Sequence, residues 1–212
     1  MTAEVFKAPA FLRPLQLGAI KALVFDLDGT LAHSNPDFPA IREALGIASG
    51  CDILMHVNAL PSAEQVAAMA LVHQYELEAA GRSRWIDGAP ELLALLSQQG
   101  RPTAILTRNT REAAMLTLSR LNLEVDLLLT REDAPPKPDP AGLLTIIGRL
   151  NLTPSEVLYV GDYLFDIETA NRAGCPSALY CPGTVPDYAH LADVLVPCYL
   201  GLTGALSLAW GD

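Results

Sequence analysis

The sequence predicts a doubly wound α/β fold, in which helices cover both faces of a mainly parallel sheet. Two observations carry this prediction. Five short apolar runs show no polar alternation, which is typical of strands that are buried on both faces. Segments with a helical apolar stripe separate several of these runs, so that strand and helix alternate along the chain. The 212 residues, of which 50% are hydrophobic, suffice for one large domain or for one domain with an insertion.

The predicted strands and helices follow one another in a regular order. The strands are expected at residues 22–25, 102–106, 125–129, 156–161 and 177–180. The helices are expected at residues 89–100, 110–122, 138–151 and 164–174. Gly100 is expected just beyond the end of the first of these helices, and Thr110 is expected to be the N-cap of the second. This order indicates a Rossmann-like sheet with crossover helices.

One long segment interrupts the alternation. Residues 32–85 contain helical patterns near 37–45 and 62–80 and no convincing strand. The alternative interpretation is an ordinary helical crossover, but more than fifty residues is long for one. We therefore expect an inserted small α-helical cap domain at residues 32–86, over a core domain formed by residues 1–31 and 87–212.

Composition and charge argue against several classes of protein. The net charge of −10 and the pI near 4.7 disfavour binding to a nucleic acid polymer, since proteins that coat DNA or RNA are usually basic. The chain has no apolar stretch of the ~20 residues that a membrane span needs, and its first residues do not resemble a signal peptide. A cytoplasmic protein with reduced thiols is expected, because no CxxC spacing occurs among Cys51, Cys175, Cys181 and Cys198.

Polar side chains follow the predicted strands at the ends where an open α/β sheet binds its ligands. They are Asp26, Asp28, Thr107, Lys137, Asp162 and Asp166. Each residue alone is a weak signal, because carboxylates, threonines and lysines are common in turns and helix caps. Their order along the chain and their shared location at one edge of the sheet predict an active site there.

Four stretches carry a resemblance to a known family. They are FDLDGTL at 25–31, LTRN at 106–109, PPKPDP at 135–140 and VGDYLFDIETANRAG at 160–174. The sequence resembles the haloacid dehalogenase-like superfamily, in its subfamily I phosphatase branch with a small helical cap, and is similar to phosphoglycolate phosphatases. The first motif is long and specific, and the other three are short but occur in the required order. The match spans residue 20 to about residue 196, and the cap matches only in size and position.

The resemblance implies the chemistry of the paired aspartates. Asp26 would attack the phosphorus of the substrate and form an aspartyl-phosphate, as carboxylates can do. Asp28 would give a proton to the leaving group and later take one from water. A Mg²⁺ ion would cancel the repulsion between carboxylate and phosphate, with Asp26, Asp162 and the backbone carbonyl of Asp28 as ligands. Asp166 would act behind these ligands, where it could orient a water on the metal or Lys137.

The resemblance also implies the residues that bind the phosphate. Gly29 would permit a tight turn and a close approach to the phosphate. Thr107 would donate its hydroxyl to a phosphate oxygen, with help from the backbone N–H groups of Arg108 and Asn109. Lys137 would supply a fixed positive charge. The expected protein is a Mg²⁺-dependent phosphatase that acts on a small-molecule phosphomonoester.

Two other functions stay open from the sequence. A phosphomutase could use the same aspartyl-phosphate site and return the phosphoryl group to the substrate. A binding or regulatory protein could retain the fold without turnover, although the intact motif residues argue against it. The quaternary structure is expected to be a monomer or a homodimer, and the apolar tail after residue 197 could pack on the core or contact a second subunit.

Several residues near the cap have two possible interpretations. His33 takes the place of an acidic residue that related phosphatases often have, and it could occupy a hinge or face the substrate. Arg82 and Arg84 could bind a second anionic group of the substrate or could be solvated at a helix end. His56 and His73 show no metal-ligand pairing and are expected to be structural or surface residues.

Overall fold

A seven-stranded sheet forms the centre of the computed structural model, which describes residues 7–211. The strands of the protein are β1 (Ala10–Phe11), β2 (Ala22–Phe25), β3 (Ala32–His33), β4 (Arg84–Trp85), β5 (Thr103–Leu106), β6 (Leu127–Leu129), β7 (Val157–Gly161), β8 (Ser177–Tyr180) and β9 (Val194–Val196). The helices are α1 (Phe38–Leu45), α2 (Ile53–Asn58), α3 (Ser62–Ala80), α4 (Ala89–Gln98), α5 (Arg111–Leu121), α6 (Ala141–Arg149), α7 (Leu164–Ala173) and α8 (Tyr199–Trp210). Residues 1–6, at the start of the predicted segment 1–31, and residue 212 lie outside the described residues.

The strand order of the large sheet shows where a ligand can bind. The order is β1-β9-β8-β7-β2-β5-β6, and every pair of neighbours is parallel except β1 and β9. The chain adds strands on one side of β2 first and on the other side afterwards, which makes the sheet doubly wound. Ligands bind at the carboxyl ends of the strands beside such a switch point. The predicted doubly wound α/β fold is confirmed, and the two helices predicted in the insertion form.

The register of the three central strands aligns their carboxyl ends. Phe25, the last residue of β2, lies opposite Ile105 of β5 and opposite Val160 of β7. All four residues of β2 are fully buried, as expected for a central strand covered by helices on both faces. The residues that follow β2, β5 and β7 therefore lie together at one edge of the sheet.

The predicted strands are confirmed, with small differences at their starts. Those at 22–25 and 177–180 have the predicted bounds. The other three begin one or two residues later than predicted, because the residues before them have other roles. Pro102 has no N–H to donate to a sheet, Asp126 uses its side chain to accept from the backbone of β5, and Glu156 belongs to a 3₁₀ turn.

All four predicted helices outside the insertion form, with slightly shorter ends. Thr110 is the N-cap of α5, and its hydroxyl oxygen accepts a hydrogen bond from the N–H of Ala113 at 3.3 Å. Gly100 follows α4 in the left-handed conformation, with φ of +59°. The helix α6 starts at Ala141 rather than at the predicted residue 138, because prolines at 138 and 140 cannot donate the backbone bonds of a helix interior.

Besides β3 and β4, four elements were not predicted from the sequence, namely β1, β9, α2 and α8. The strands β1 and β9 have only two and three residues, which is too short to show a periodic pattern. The helix α8 packs on the core, one of the two possibilities expected for the apolar tail, and its Tyr199, Leu202 and Leu206 are fully buried. None of the described helices is both long enough and apolar enough to cross a membrane.

The helical insertion joins the core through a small pair of strands. The prediction that residues 32–85 contain no strand was wrong, since β3 and β4 pair antiparallel, with His33 opposite Arg84. Two residues in each strand leave no readable pattern in the sequence. Between these strands, α1, α2 and α3 bury an apolar cluster of their own, formed by Ile41, Ile47, Ile53, Leu54, Val57, Ala68 and Val72.

Candidate active site

Asp26 lies directly after the central strand β2. Its backbone N–H donates to the carbonyl of Val160 at 2.9 Å, which extends the ladder between β2 and β7 by one residue. Asp26 is 9% exposed, and the ammonium of Lys137 lies 2.7 Å from its Oδ1. Burial raises the pKa of Asp26 to about 6, while the positive charge of Lys137 opposes the rise. The carboxyl group is therefore mainly anionic at neutral pH.

Lys137 comes from the loop between β6 and α6 and is buried beside two carboxylates. Its Nζ also lies 2.6 Å from Oδ1 of Asp166, which accepts further bonds from the hydroxyl of Tyr159 at 3.2 Å and, at Oδ2, from the N–H of Tyr163 at 3.1 Å. Burial alone would lower the pKa of Lys137, but Asp166 and Asp26 outweigh burial and raise it. Asp166 was predicted to orient either a water on the metal or Lys137, and the structure shows its contact with Lys137.

Asp28 has a different environment from Asp26, although only one residue separates them. Its two oxygens accept hydrogen bonds from the Ser34 hydroxyl and from the Asn109 side-chain amide, both at 2.6 Å. No lysine or arginine forms an ion pair with Asp28 within residues 7–211. Burial, and then the charge of Asp26, raise the pKa of Asp28 to about 7. A carboxyl group with this pKa can both give and take a proton near neutral pH.

Gly29 occupies a position that only glycine fits. Its φ is +82°, and a Cβ added there would lie 2.3 Å from Oδ2 of Asp162. The close approach of phosphate to Gly29, implied by the resemblance, stays a prediction, and the neighbour of Gly29 in the structure is the carboxylate of Asp162. The hydroxyl of Thr30 donates to the other oxygen of Asp162 at 3.3 Å. The turn after β2 and the end of β7 are therefore packed directly against each other.

The carboxylates of Asp26, Asp162 and Asp166 form an acidic group that suits a hard cation. One oxygen from each lies within 4.8 Å of the others. Burial, and then the charges of Asp26 and Asp166, raise the pKa of Asp162 to about 8. This excess of negative charge and the all-oxygen donor set fit Mg²⁺. Asp166 belongs to the group directly, while the backbone carbonyl of Asp28 as a ligand stays a prediction.

The loop after β5 places Thr107, Arg108 and Asn109 beside the aspartates. The N–H of Asn109 donates to Oγ1 of Thr107 at 3.1 Å, so this N–H, predicted to bind phosphate, already has a partner. Because Oγ1 of Thr107 accepts that bond, its own O–H remains able to donate to a phosphate oxygen. The Asn109 side chain instead holds Asp28, a contact that the sequence did not predict.

A cavity of about 390 Å³ connects these groups with the helical insertion. We call its two sides the core wall, formed by residues after the strands of the large sheet, and the cap wall, formed by residues 35–76. Arg108 crosses between them, since its guanidinium pairs with both oxygens of Asp52, at 2.7 and 2.9 Å, and lies 4.9 Å from the centre of the Phe165 ring. No pattern in the sequence indicates this pair, because the two residues are 56 positions apart.

A second set of polar contacts joins α3 of the insertion to the core. Glu76 and Arg131 form an ion pair in which the side chains are only 7% and 9% exposed. The ring of His73 contacts the hydroxyl of Thr110 and the carboxylate of Glu112, each at 3.0 Å. His73, which was expected to be a structural or surface residue, therefore connects the insertion to the core. We call this set of contacts between α3 and the core the seam.

Three residues with open interpretations lie away from the main cavity. Arg82 and Arg84 are exposed and are absent from the lining of the cavity. His33 lies in the strand pair at the root of the insertion and is absent from the lining of the main cavity, and its role as a hinge residue stays a prediction. The cavity is instead lined by an arginine that the sequence did not single out, Arg42 of α1.

Comparison with known proteins agrees with this geometry. The family model described as haloacid dehalogenase-like hydrolase matches residues 23–180. The chain is 33% identical to N-acetylmuramic acid 6-phosphate phosphatase of Pseudomonas aeruginosa over 204 residues, which cover 84% of this chain and 90% of that protein. It is 31% identical to phosphoglycolate phosphatase of Pectobacterium atrosepticum over 188 residues, covering 76% of this chain and 80% of the other.

A solved structure supports the fold independently of close sequence similarity. The crystal structure of a hydrolase from Pseudomonas syringae superposes with a TM-score of 0.76 at 20% identity, covering 89% of this chain and 98% of that one. The family model extends from β2 to β8 and so includes all four motifs that carried the resemblance. The chain belongs to the haloacid dehalogenase-like hydrolase family, as an enzyme of its phosphatase branch.

Proposed function

We propose that this protein is a Mg²⁺-dependent phosphatase that hydrolyses a small-molecule phosphomonoester through an aspartyl-phosphate on Asp26. One observation carries the proposal. Asp26 and Asp28 share a cavity, yet of these two carboxylates Lys137 contacts only that of Asp26, and the pKa of Asp28 is raised to about 7. One carboxyl group is thus suited to attack as an anion and the other to carry a proton.

In the first half of the reaction, an oxygen of Asp26 attacks the phosphorus of the ester. The bond between phosphorus and the ester oxygen breaks, and its electron pair stays with that oxygen. Asp28 gives its proton to the same oxygen, so that a neutral alcohol leaves. The phosphoryl group is then bound to Asp26 as an acyl phosphate, and Asp28 is ionised.

In the second half, Asp28 takes a proton from a water molecule. The oxygen of this water attacks the phosphorus, the bond between phosphorus and Asp26 breaks, and inorganic phosphate forms. Both aspartates then have their starting protonation. The hydrogen bonds from Ser34 and Asn109 hold the carboxyl group of Asp28 in one orientation through both steps.

The remaining groups balance the charge of the phosphate. Lys137 supplies a buried positive charge, and Asp166 and Tyr159 fix its position. Thr107 donates its hydroxyl to a phosphate oxygen. When bound, Mg²⁺ supplies positive charge that offsets the repulsion between phosphate and carboxylates. Asp26 and Asp162 would hold it, with the backbone carbonyl of Asp28, and Asp166 would support them while it stays paired with Lys137.

We also propose that residues 32–86 form a cap domain over a core domain of residues 1–31 and 87–212. Two observations support this division for the described residues. The insertion has its own apolar cluster, and its helices supply one whole wall of the cavity. A cap in this position excludes bulk water from the reacting groups and contacts the leaving group rather than the phosphate.

A panel of phosphomonoesters assayed with Mg²⁺ and with EDTA tests the function. The panel includes p-nitrophenyl phosphate, 2-phosphoglycolate and N-acetylmuramic acid 6-phosphate, the last two because relatives are named for them. We expect hydrolysis with Mg²⁺, its loss in EDTA, and its return when Mg²⁺ is restored. The Asp26→Asn variant should lose activity by ~10⁴-fold or more, because the amide is a poor nucleophile of nearly the same shape.

Three results would contradict the proposal. Near-normal activity of a folded Asp26→Asn variant would exclude the aspartyl-phosphate. Conversion of a hexose phosphate into its isomer, with a bisphosphate intermediate, would identify a phosphomutase. No Mg²⁺-dependent turnover anywhere in the panel would favour a binding or regulatory protein.

A further inference from the structure

Arg42 presents a cationic group on the cap wall that the proposed reaction does not use. It lies in the last turn of α1 and lines the cavity. Its Nε donates to the backbone carbonyl of Cys51 at 3.2 Å, which anchors the guanidinium near the loop before α2. An arginine has five N–H donors, so this bond leaves four of them available.

Every other charged side chain on the cavity lining already has a side-chain partner. Asp26 and Asp166 contact Lys137, Asp52 pairs with Arg108, and Glu76 pairs with Arg131, while Asp28 and Asp162 accept from neutral side chains. Among the charged lining residues within 7–211, Arg42 is the one that contacts only a backbone carbonyl. Its positive charge is therefore not neutralised by a carboxylate in the described part of the protein.

The surroundings of Arg42 determine what such a charge can bind. The neighbouring part of the cap wall is apolar, with Phe38, Ile41, Ile53, Leu54 and Val72 on the lining. An ion pair formed beside apolar side chains is stronger than one in open water. The planar guanidinium matches the two oxygens of a carboxylate or of a phosphate. The core wall is rich in carboxylates, so it would repel any second anionic group that did not meet Arg42.

We infer that the substrate carries a second anionic group on its leaving-group portion, and that Arg42 binds it. This inference rests on the proposed phosphatase function and adds a substrate class to it, namely phosphomonoesters with an additional carboxylate or phosphate. The core wall binds the phosphate that is cleaved, and Arg42 selects the group that leaves. Arg82 and Arg84, which the sequence suggested for this role, lie outside the cavity lining.

Matched substrate pairs test the inference. 3-Phosphoglycerate and glycerol 3-phosphate differ by a carboxylate in place of a hydroxymethyl group, and 2-phosphoglycolate and 2-hydroxyethyl phosphate differ in the same way. Propane-1,3-diol bisphosphate and 3-hydroxypropyl phosphate form the pair for a second phosphate. We expect wild-type kcat/KM to favour the anionic member of at least one type of pair, which also tells carboxylate from phosphate.

The Arg42→Gln variant should lower that preference by about 10- to 100-fold, since hydrogen bonds to charged groups contribute effects of this size. Arg42→Lys retains the positive charge but lacks the planar guanidinium with its paired N–H donors. It should give a preference for the anionic substrate between those of wild type and Arg42→Gln. Arg82→Ala is the matched control, because it removes an exposed arginine of the same insertion and should leave the ratio at its wild-type value.

The outcomes separate this inference from the proposed function. If p-nitrophenyl phosphate is hydrolysed but no anionic member is favoured, the inference is wrong and the phosphatase function stands. An equal loss on both members of a pair in folded Arg42→Gln, without recovery in Arg42→Lys, also overturns it. If no ester is hydrolysed at all, the proposed function fails and this inference fails with it.

Discussion

The two walls of the cavity are held in place by different kinds of interaction. On the core wall, Asp26 and Asp162 directly follow β2 and β7, and backbone hydrogen bonds between these strands fix where each residue lies. On the cap wall, the helices depend on a two-residue strand pair and on side-chain contacts such as Asp52 with Arg108 and Glu76 with Arg131. The core wall therefore has one geometry, set by the sheet, and the cap wall depends on individual side chains.

The two walls also differ in the side chains that they present to the cavity. The core wall has four carboxylates and one lysine close together, which suits reaction at phosphorus. The cap wall is mainly apolar and has three charged side chains, of which Arg42 has no acidic partner within the described residues. We expect substitutions on the core wall to change rates, and substitutions on the cap wall or its seam to change stability and selectivity.

After Asp26→Asn, Asp28→Asn should have the largest effect, because it also removes a reacting group from the core wall. The amide cannot give or take the proton, and general acid–base catalysis contributes typically ~10²–10⁴-fold. In single-turnover phosphorylation, the loss should be smaller with p-nitrophenyl phosphate than with an alkyl phosphate, because a stable leaving group needs the proton less. Rapid-quench measurement of the released alcohol on both substrates tests this. Equal losses on the two substrates would remove Asp28 from the role of acid.

Glu76→Ala should come next, as a loss of stability rather than of chemistry. It leaves the buried guanidinium of Arg131 without its carboxylate, although Arg131 still donates to the carbonyl of Arg108 at 3.1 Å. Removal of one partner of a buried ion pair lowers the free energy of unfolding by about 3 kcal/mol. Urea unfolding followed by circular dichroism measures the change.

Two further variants show whether burial is the reason for that loss. Glu168→Ala breaks the exposed ion pair with Arg172 and should change the free energy of unfolding by less than about 0.5 kcal/mol. Burial raises the pKa of Glu76 despite its arginine partner, so its charge is costly in this position. The double variant Glu76→Leu, Arg131→Met should therefore recover much of the stability. A double variant less stable than Glu76→Ala would contradict this account of the seam.

Asp52→Ala tests whether the pair with Arg108 stabilises the contact between the insertion and the core, and its expected effect is smaller than that of Glu76→Ala. Asp52→Ala removes the N-cap bond to the N–H of Met55 at 2.8 Å and also the pair with Arg108. Asp37→Ala removes only an N-cap bond of the same kind, to the N–H of Ala40 at 3.0 Å. We expect a loss of about 1 kcal/mol for Asp37→Ala and a somewhat larger loss for Asp52→Ala. Identical values would mean that the Arg108 pair does not stabilise the contact between the insertion and the core.

The elements that were predicted correctly are those whose signal is local. The strand at 22–25 is a short run of apolar residues, and the start of α5 has Thr110 as its cap, so neighbouring residues suffice to identify both. The helix α2 was missed because its six residues are too few for a clear period. The strand pair β3–β4 was missed for the same reason, since each strand has two residues and the whole helical insertion separates them in the chain.

The fold class, the order of the four motifs and the set of residues at the strand ends follow from the amino-acid sequence alone, because each depends on short runs of neighbouring residues. Which side chains meet is a property of the folded chain. Asn109 bonds Asp28 across 81 positions, Arg108 pairs with Asp52 across 56, and Arg42 lines the cavity in place of Arg82 and Arg84. The first of these contacts depends on β2 and β5 being neighbours in the sheet, and the other two depend on how the helices of the insertion pack on the core. That arrangement follows from burial and charge summed over the whole chain, and no local pattern encodes it.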